Sequence, residues 1–175
     1  MNARNAGAAA RELSHFIGGE RVSGRGVAFL QYDNISSYVA LVAQVRVERA
    51  SGKVRVERVC VAHDRGLIVN PDGLRNQIEG NVIQAASRAL LEEVQFDRGG
   101  VKSVDWTGYP IMRFSDVPEE TAISLISRPD QPALGGGEPA GCPVFAAVAN
   151  AIFDATGARM RSVPFTPERV RAALA

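Results

Sequence analysis

From Val27 onward, apolar and polar residues alternate with a period of two through "VAFLQY" and "SYVALVAQVRVERASGKVRVERVCVAH". That spacing sends successive side chains to opposite faces of a strand. Within it, Val45-Arg-Val-Glu-Arg49 recurs as Val54-Arg-Val-Glu-Arg58 on the far side of Ala50-Ser-Gly-Lys53. A short glycine-containing link between two such runs predicts the arms of one hairpin, with Arg and Glu facing water and pairing across the strands.

The period changes after the turn signal Asn70-Pro-Asp-Gly73. Leu74, Ile78, Val82, Ala86 and Leu90 recur every four residues, which predicts a helix of roughly 20 residues. Its other side carries Gln77, Asn81, Gln84 and Arg88, mostly neutral amides where a plain solvent face favours Glu and Lys. Amides both donate and accept, so this side suits either a polar ligand or ordinary solvation. Gly80 in mid-helix costs about 1 kcal/mol relative to Ala and is expected to permit close packing.

Short strands are expected around "SVDW", "YPIMRF" and "AISLIS". Val144, Val148, Ile152 and Ala155 then form an apolar helical stripe that stops at Gly157. A last helix starts at Thr166 as N-cap, with Pro167 at its first position and Glu168 in its first turn. Together these elements predict an α+β fold: an antiparallel or mixed sheet with a long helix and C-terminal helices packed on it. Residues 1–23 lack a periodic stripe and are expected to be a loose tail or weak helix ahead of a domain over residues 24–175.

Composition narrows the function classes. With 46% hydrophobic and 22% charged residues over 175 positions, the chain has material for one sizeable core. A net charge of +1 gives no field that would gather nucleic acid or an anionic membrane surface. Cys60 and Cys142 stand far apart without a zinc-type spacing, and both are expected to be reduced thiols. No apolar run is long enough for a bilayer, and the N-terminus lacks a signal-type segment; a cytoplasmic location is expected, or a periplasmic one if a longer subunit carries a signal upstream.

The chemistry concentrates in Ala133-Leu-Gly-Gly-Gly-Glu-Pro-Ala-Gly-Cys-Pro143. Glycines let a backbone come close to a ligand, and Pro139 is expected to hold Glu138 out of helical geometry. No Lys-Ser or Lys-Thr follows to complete a phosphate cradle, and no convincing second carboxylate stands by for glycoside-type chemistry. Two readings remain open on the residues alone. Glu138 stabilises the end of the following helix, or it is a single general base beside an electrophile that the chain itself does not supply.

Two stretches bear on that choice. "GGGEPAGCPVFAAVANAIFDATGARMRSVPF" resembles the C-terminal segment of the large subunit of molybdenum hydroxylases, the xanthine dehydrogenase and aldehyde oxidoreductase family. "VRVERVCVAHDRGLIVNPDGLRNQIEGNVIQAASRALLEE" resembles the same subunit upstream, and the likeness is greatest to the isoquinoline 1-oxidoreductase and bacterial aldehyde dehydrogenase branch. The resemblance implies Glu138 as catalytic base in oxidising an aldehyde or an N-heteroaromatic substrate with water as oxygen source. It also implies Gln77 as a contact to the molybdopterin cofactor, with Gly136 and Gly137 giving the cofactor room.

The resemblance further implies partners. The family's large subunit is several times longer, so the rest of it, on this or a separate chain, is expected to complete the cofactor site. An iron–sulfur small subunit is expected to take the electrons, because this chain has no cluster motif. Without them the fragment is expected to be inactive; the rival expectation is a truncated remnant or interaction domain that keeps the fold without catalysis. Arg65 in "HDRG" and Ala85 after Gln84 depart from the family pattern toward larger side chains, which implies crowding near the cofactor.

Overall fold

The computed structural model describes residues 15–16, 19–34 and 37–175. Five strands form one sheet in the order β1-β2-β3-β4-β7: β1 (His15–Phe16), β2 (Gly19–Gln31), β3 (Tyr38–Glu48), β4 (Lys53–Asp64) and β7 (Glu120–Ile126). The first three pairings are antiparallel and β4 pairs with β7 in parallel, so the sheet is mixed. The parallel step requires a long crossover, and α1 (Pro71–Leu90) lies within it. A separate ribbon pairs β5 (Phe96–Asp97) with β6 (Gly100–Val101). Three helices close the chain: α2 (Gly137–Gly141), α3 (Val144–Thr156) and α4 (Pro167–Leu174).

The expected helices form where the periodicity places them. All five residues of the α1 stripe are buried, and the Asn70 side chain caps the helix by accepting from the Gly73 N–H at 2.9 Å. α3 ends at Gly157, whose φ of 78° is the left-handed conformation that a C-terminal stop uses. The Thr166 hydroxyl accepts from the Arg169 N–H at the start of α4.

The repeated arms pair as one hairpin, Val45 with Val56 and Val47 with Val54. The expected solvated face holds along most of it, but not at Glu57. The register shifts between Gln44 and Val45, which moves the buried positions of β4 from Val54 and Val56 to Val59, Val61 and His63. Glu57 falls at that bulge, is only 7% exposed, and takes Arg46 as its ion-pair partner. A bulge inserts one residue, and the side-chain phase slips with it.

Other expectations need correction. β2 begins at Gly19, ahead of the alternation, because Gly24 and Gly26 hide the period of two. Of the tail expected over residues 1–23, residues 1–14 and 17–18 lie outside the described residues, and residues 19–23 are the start of β2. Of the three short strands expected in residues 101–127, only the last forms, as β7. In "SVDW", the Asp105 carboxylate instead accepts from the N–H groups of Thr107 and Gly108, which closes a turn. In "YPIMRF", the Met112 N–H donates to the Ser87 hydroxyl on α1 and not to a strand ladder. Gly80 does not mediate packing within the chain; it is exposed, and a Cβ there would have nothing within 4 Å.

α3 lies directly on β2. A Cβ on Gly24 would come 2.3 Å from the Ala151 carbonyl oxygen, and one on Gly26 would come 2.1 Å from that of Ala147. Only glycine permits that approach of helix backbone to strand backbone. α1 and α3 thus cover one face of the sheet, and Val39, Leu41, Ala43, Val45 and Val47 fill the layer between.

Candidate functional site

The loop between β7 and α2 runs across the end of the sheet and is fastened to the loop that follows β4. Main-chain hydrogen bonds join Leu67 N–H to Gln131 C=O (3.2 Å), Arg128 N–H to Gly66 C=O (3.1 Å) and Leu134 N–H to Arg65 C=O (3.0 Å). Arg128 Nε lies 3.0 and 2.8 Å from the two oxygens of Asp64. The glycine stretch is therefore held between two anchored segments as it turns into α2.

Glu138 occupies the first turn of α2, which corrects the expectation that it avoids a helix. The reason lies in position: the first four N–H groups of a helix have no internal acceptor, so Pro139 forfeits nothing there. The Glu138 side chain is exposed. The Tyr32 hydroxyl, just after β2, lies near the Glu138 carboxylate; hydrogen bonding toward Glu138, then burial and the nearby negative charge, pushes the Tyr32 pKa up to about 12. Near neutral pH the phenol thus stays protonated as the donor. The Cys142 thiol donates to the Glu138 carbonyl at 3.4 Å, and burial, then the Glu138 charge, pushes its pKa up.

The amide side of α1 faces the same loop. A Cβ on Gly137 would come 2.7 Å from Asn81 Nδ2 and 3.2 Å from Gln77 Oε1, and Asn81 Nδ2 donates to the Gln77 carbonyl at 3.0 Å. A Cβ on Gly136 would strike Leu74 Cδ1 at 2.3 Å and lie 3.5 Å from Arg65 Cδ. The four residues singled out in the sequence, Gln77, Gly136, Gly137 and Glu138, thus meet at one junction. Arg65 stands beside it, on the side where its bulk implies crowding. Gln84 and Arg88 lie further along α1 and do not reach the loop glycines.

Sequence reasoning missed Tyr32. Over a hundred residues separate it from Glu138, and only the turn signal Asp33-Asn34 marks its position. Asp33 has the left-handed φ of 50°, which sets the turn that delivers Tyr32.

What the junction can do follows from its groups. Two amides offer donors and acceptors, the glycines leave the backbone bare, and an exposed carboxylate stands next to a phenolic donor. Among the described residues, no three His, Cys, Asp or Glu side chains gather to ligate a metal. Both cysteines are free. No described helix is long and apolar enough to cross a membrane.

The sequence profile of the molybdopterin cofactor-binding domain matches residues 8–118. The chain is 47% identical over 162 residues to a nicotinate dehydrogenase subunit of Pseudomonas putida, covering 89% of this chain and 14% of that protein. It is 35% identical to the beta subunit of isoquinoline 1-oxidoreductase of Brevundimonas diminuta, covering 81% of this chain and 18% of that one. Its fold superposes on quinoline 2-oxidoreductase from Pseudomonas putida 86 with a TM-score of 0.73 at 30% identity, over 79% of this chain and 18% of that chain. The chain therefore spans less than a fifth of the length of each.

Proposed function

The chain belongs to the molybdopterin cofactor-binding domain family, the molybdenum subunits of the xanthine dehydrogenase type, and on that footing we propose that it supplies the catalytic base and part of the cofactor wall of such an enzyme. The observation that carries the reading is the junction itself: Glu138 stands exposed one residue from Gly137, which lies against the Gln77 and Asn81 amides. These residues fit the group. A pterin presents both donors and acceptors, and an amide pair can answer either. Gly136 and Gly137 keep the side of approach free of side chains.

When bound, the molybdenum cofactor supplies the two-electron redox chemistry of a hydroxylation in which water provides the oxygen. The chain's own residues do the rest. Gln77, with Asn81 bonded to its main chain, binds and orients the cofactor. Glu138 accepts a proton at its carboxylate. Tyr32 donates to that carboxylate and fixes its direction. The substrate is an aldehyde or an N-heteroaromatic compound, and electrons leave through iron–sulfur clusters on a partner subunit. The remainder of the large subunit, on this or another polypeptide, encloses the cofactor. A purely structural role for Glu138 at the end of α2 is the competing reading.

Glu138→Gln separates the two. The amide keeps the shape and hydrogen bonding but cannot accept the proton, so turnover of the assembled enzyme is expected to fall by about 10² to 10⁴ at equal molybdenum content. The assay uses one aldehyde and one N-heteroaromatic substrate. Equal rates for both proteins would leave Glu138 as a helix-end charge.

A further inference from the structure

One face of the sheet is covered by α1 and α3; among the described residues, no helix covers the other. Its two ends differ in kind. Near the hairpin tip it is polar: Arg25, Gln44, Arg58 and Glu120 share one cross-strand row, with Arg25 Nε 3.3 Å from Gln44 Oε1 and Arg58 2.9 Å from Glu120. The next rows toward the glycine loop are apolar. Val27 is 63% exposed and Phe29 66%, and Val42, Tyr38 and Ile126 also stand exposed. Phe29 stacks on Tyr38 with centroids 6.2 Å apart. A sheet face that meets water carries polar side chains, as the hairpin end does. The apolar half is built to be covered.

We infer that this apolar half of the open face, centred on Val27, Phe29 and Val42, is the docking surface for the portion of the large subunit that this chain does not span. The length of the relatives argues for that occupant, since more than four fifths of each lies outside the stretch matched here. The position of the patch argues for it too. The outermost row, Gln31 with Tyr38, borders the apolar rows and leads directly into the turn that carries Tyr32 to Glu138, so a polypeptide seated here also walls the junction. The inference rests on the proposed reading only in that the chain forms part of a larger molybdenum subunit.

The test is capture. The tagged chain is co-expressed with the matching nicotinate dehydrogenase subunit of Pseudomonas putida from which the aligned stretch has been deleted, and the co-purified amount is measured. Wild type and Glu138→Gln are expected to capture it equally, which keeps this test independent of the catalytic assignment. Phe29→Glu and Val42→Glu are expected to reduce capture at least tenfold, whereas Phe96→Glu on the β5–β6 ribbon retains it. The isolated variants are expected to melt at the wild-type temperature. No capture by wild type, or an equal loss with Phe96→Glu, would overturn the inference. So would a lowered melting temperature for isolated Phe29→Glu, which would place the patch inside the chain's own fold. A wild-type dimer dissolved by Val42→Glu would also overturn it, in favour of a second copy.

Discussion

Two of the places where a helix meets glycine in this protein differ in what the glycine faces. On β2, Gly24 and Gly26 face the main chain of α3, whose carbonyls would lie within 2.3 Å of any added Cβ. At the junction, Gly137 faces the ends of two amide side chains on α1. Main chain in a helix cannot yield without breaking its ladder, whereas an amide can turn about its own torsions. The first contact fixes the layer spacing of the fold. The second leaves adjustable polar groups around a bare stretch of backbone, which is what a ligand-binding wall needs.

Gly26→Val should break the first contact outright. Overpacking that forces backbone apart costs about 1 to 3 kcal/mol and occasionally more, and urea unfolding is expected to show a loss at the upper end of that range. An effect under about 1 kcal/mol would mean that α3 does not rest on β2 as described.

Acid should act at the junction end of the sheet and leave the β2–α3 contact alone. His63 lies on β4 beside the loop anchors, fully buried, with both ring nitrogens lacking a protein partner. Burial, reinforced by the Arg65 charge, pushes its pKa down to about 4 from the usual 6.5. The unfolded chain takes up this proton near pH 6.5, while the folded chain does so only near pH 4. Stability is therefore full above pH 6.5, falls as the pH drops toward 4, and loses nothing further from this group below that. The loss is expected to approach about 3 kcal/mol. His63→Phe, measured across the same pH range, should flatten that part of the curve.

Gly137→Ala sharpens the comparison from the other side. The new methyl meets side-chain ends that can swing away, so the expected stability change is under about 1 kcal/mol, well below that of Gly26→Val. Comparable losses for the two variants would erase the distinction between the contacts.

The same contrast explains what could be read in the sequence. The helix stripes, the caps and the hairpin repeat are local, so Leu74 to Leu90, Thr166 and the Val-Arg-Val-Glu-Arg arms announced themselves. Gly24 and Gly26 did not, because a glycine in a strand says nothing about which helix will lie on it. The slip at Glu57 does leave a local mark: Glu57 and Arg58 stand side by side between Val56 and Val59, which breaks the period of two where the bulge falls. The junction was half legible. Its glycines, Glu138 and Gln77 stood out by composition and resemblance, but their meeting depends on main-chain bonds between residues 65–67 and 128–134. Tyr32 reaches Glu138 only through the tertiary fold.

Gln77→Ala has the smallest expected effect on the fold, because its side chain is exposed on the flank of α1 away from the buried stripe. Its effect on the cofactor is where the account is most exposed. The decisive quantity is molybdenum per assembled enzyme, wild type against Gln77→Ala, purified identically. Removing one partner of a buried hydrogen bond costs about 1 to 3 kcal/mol, so molybdenum retention is expected to weaken by roughly 5- to 150-fold while the melting temperature of the chain stays put. Equal molybdenum content in the two preparations would contradict the assignment of this junction as part of the cofactor wall.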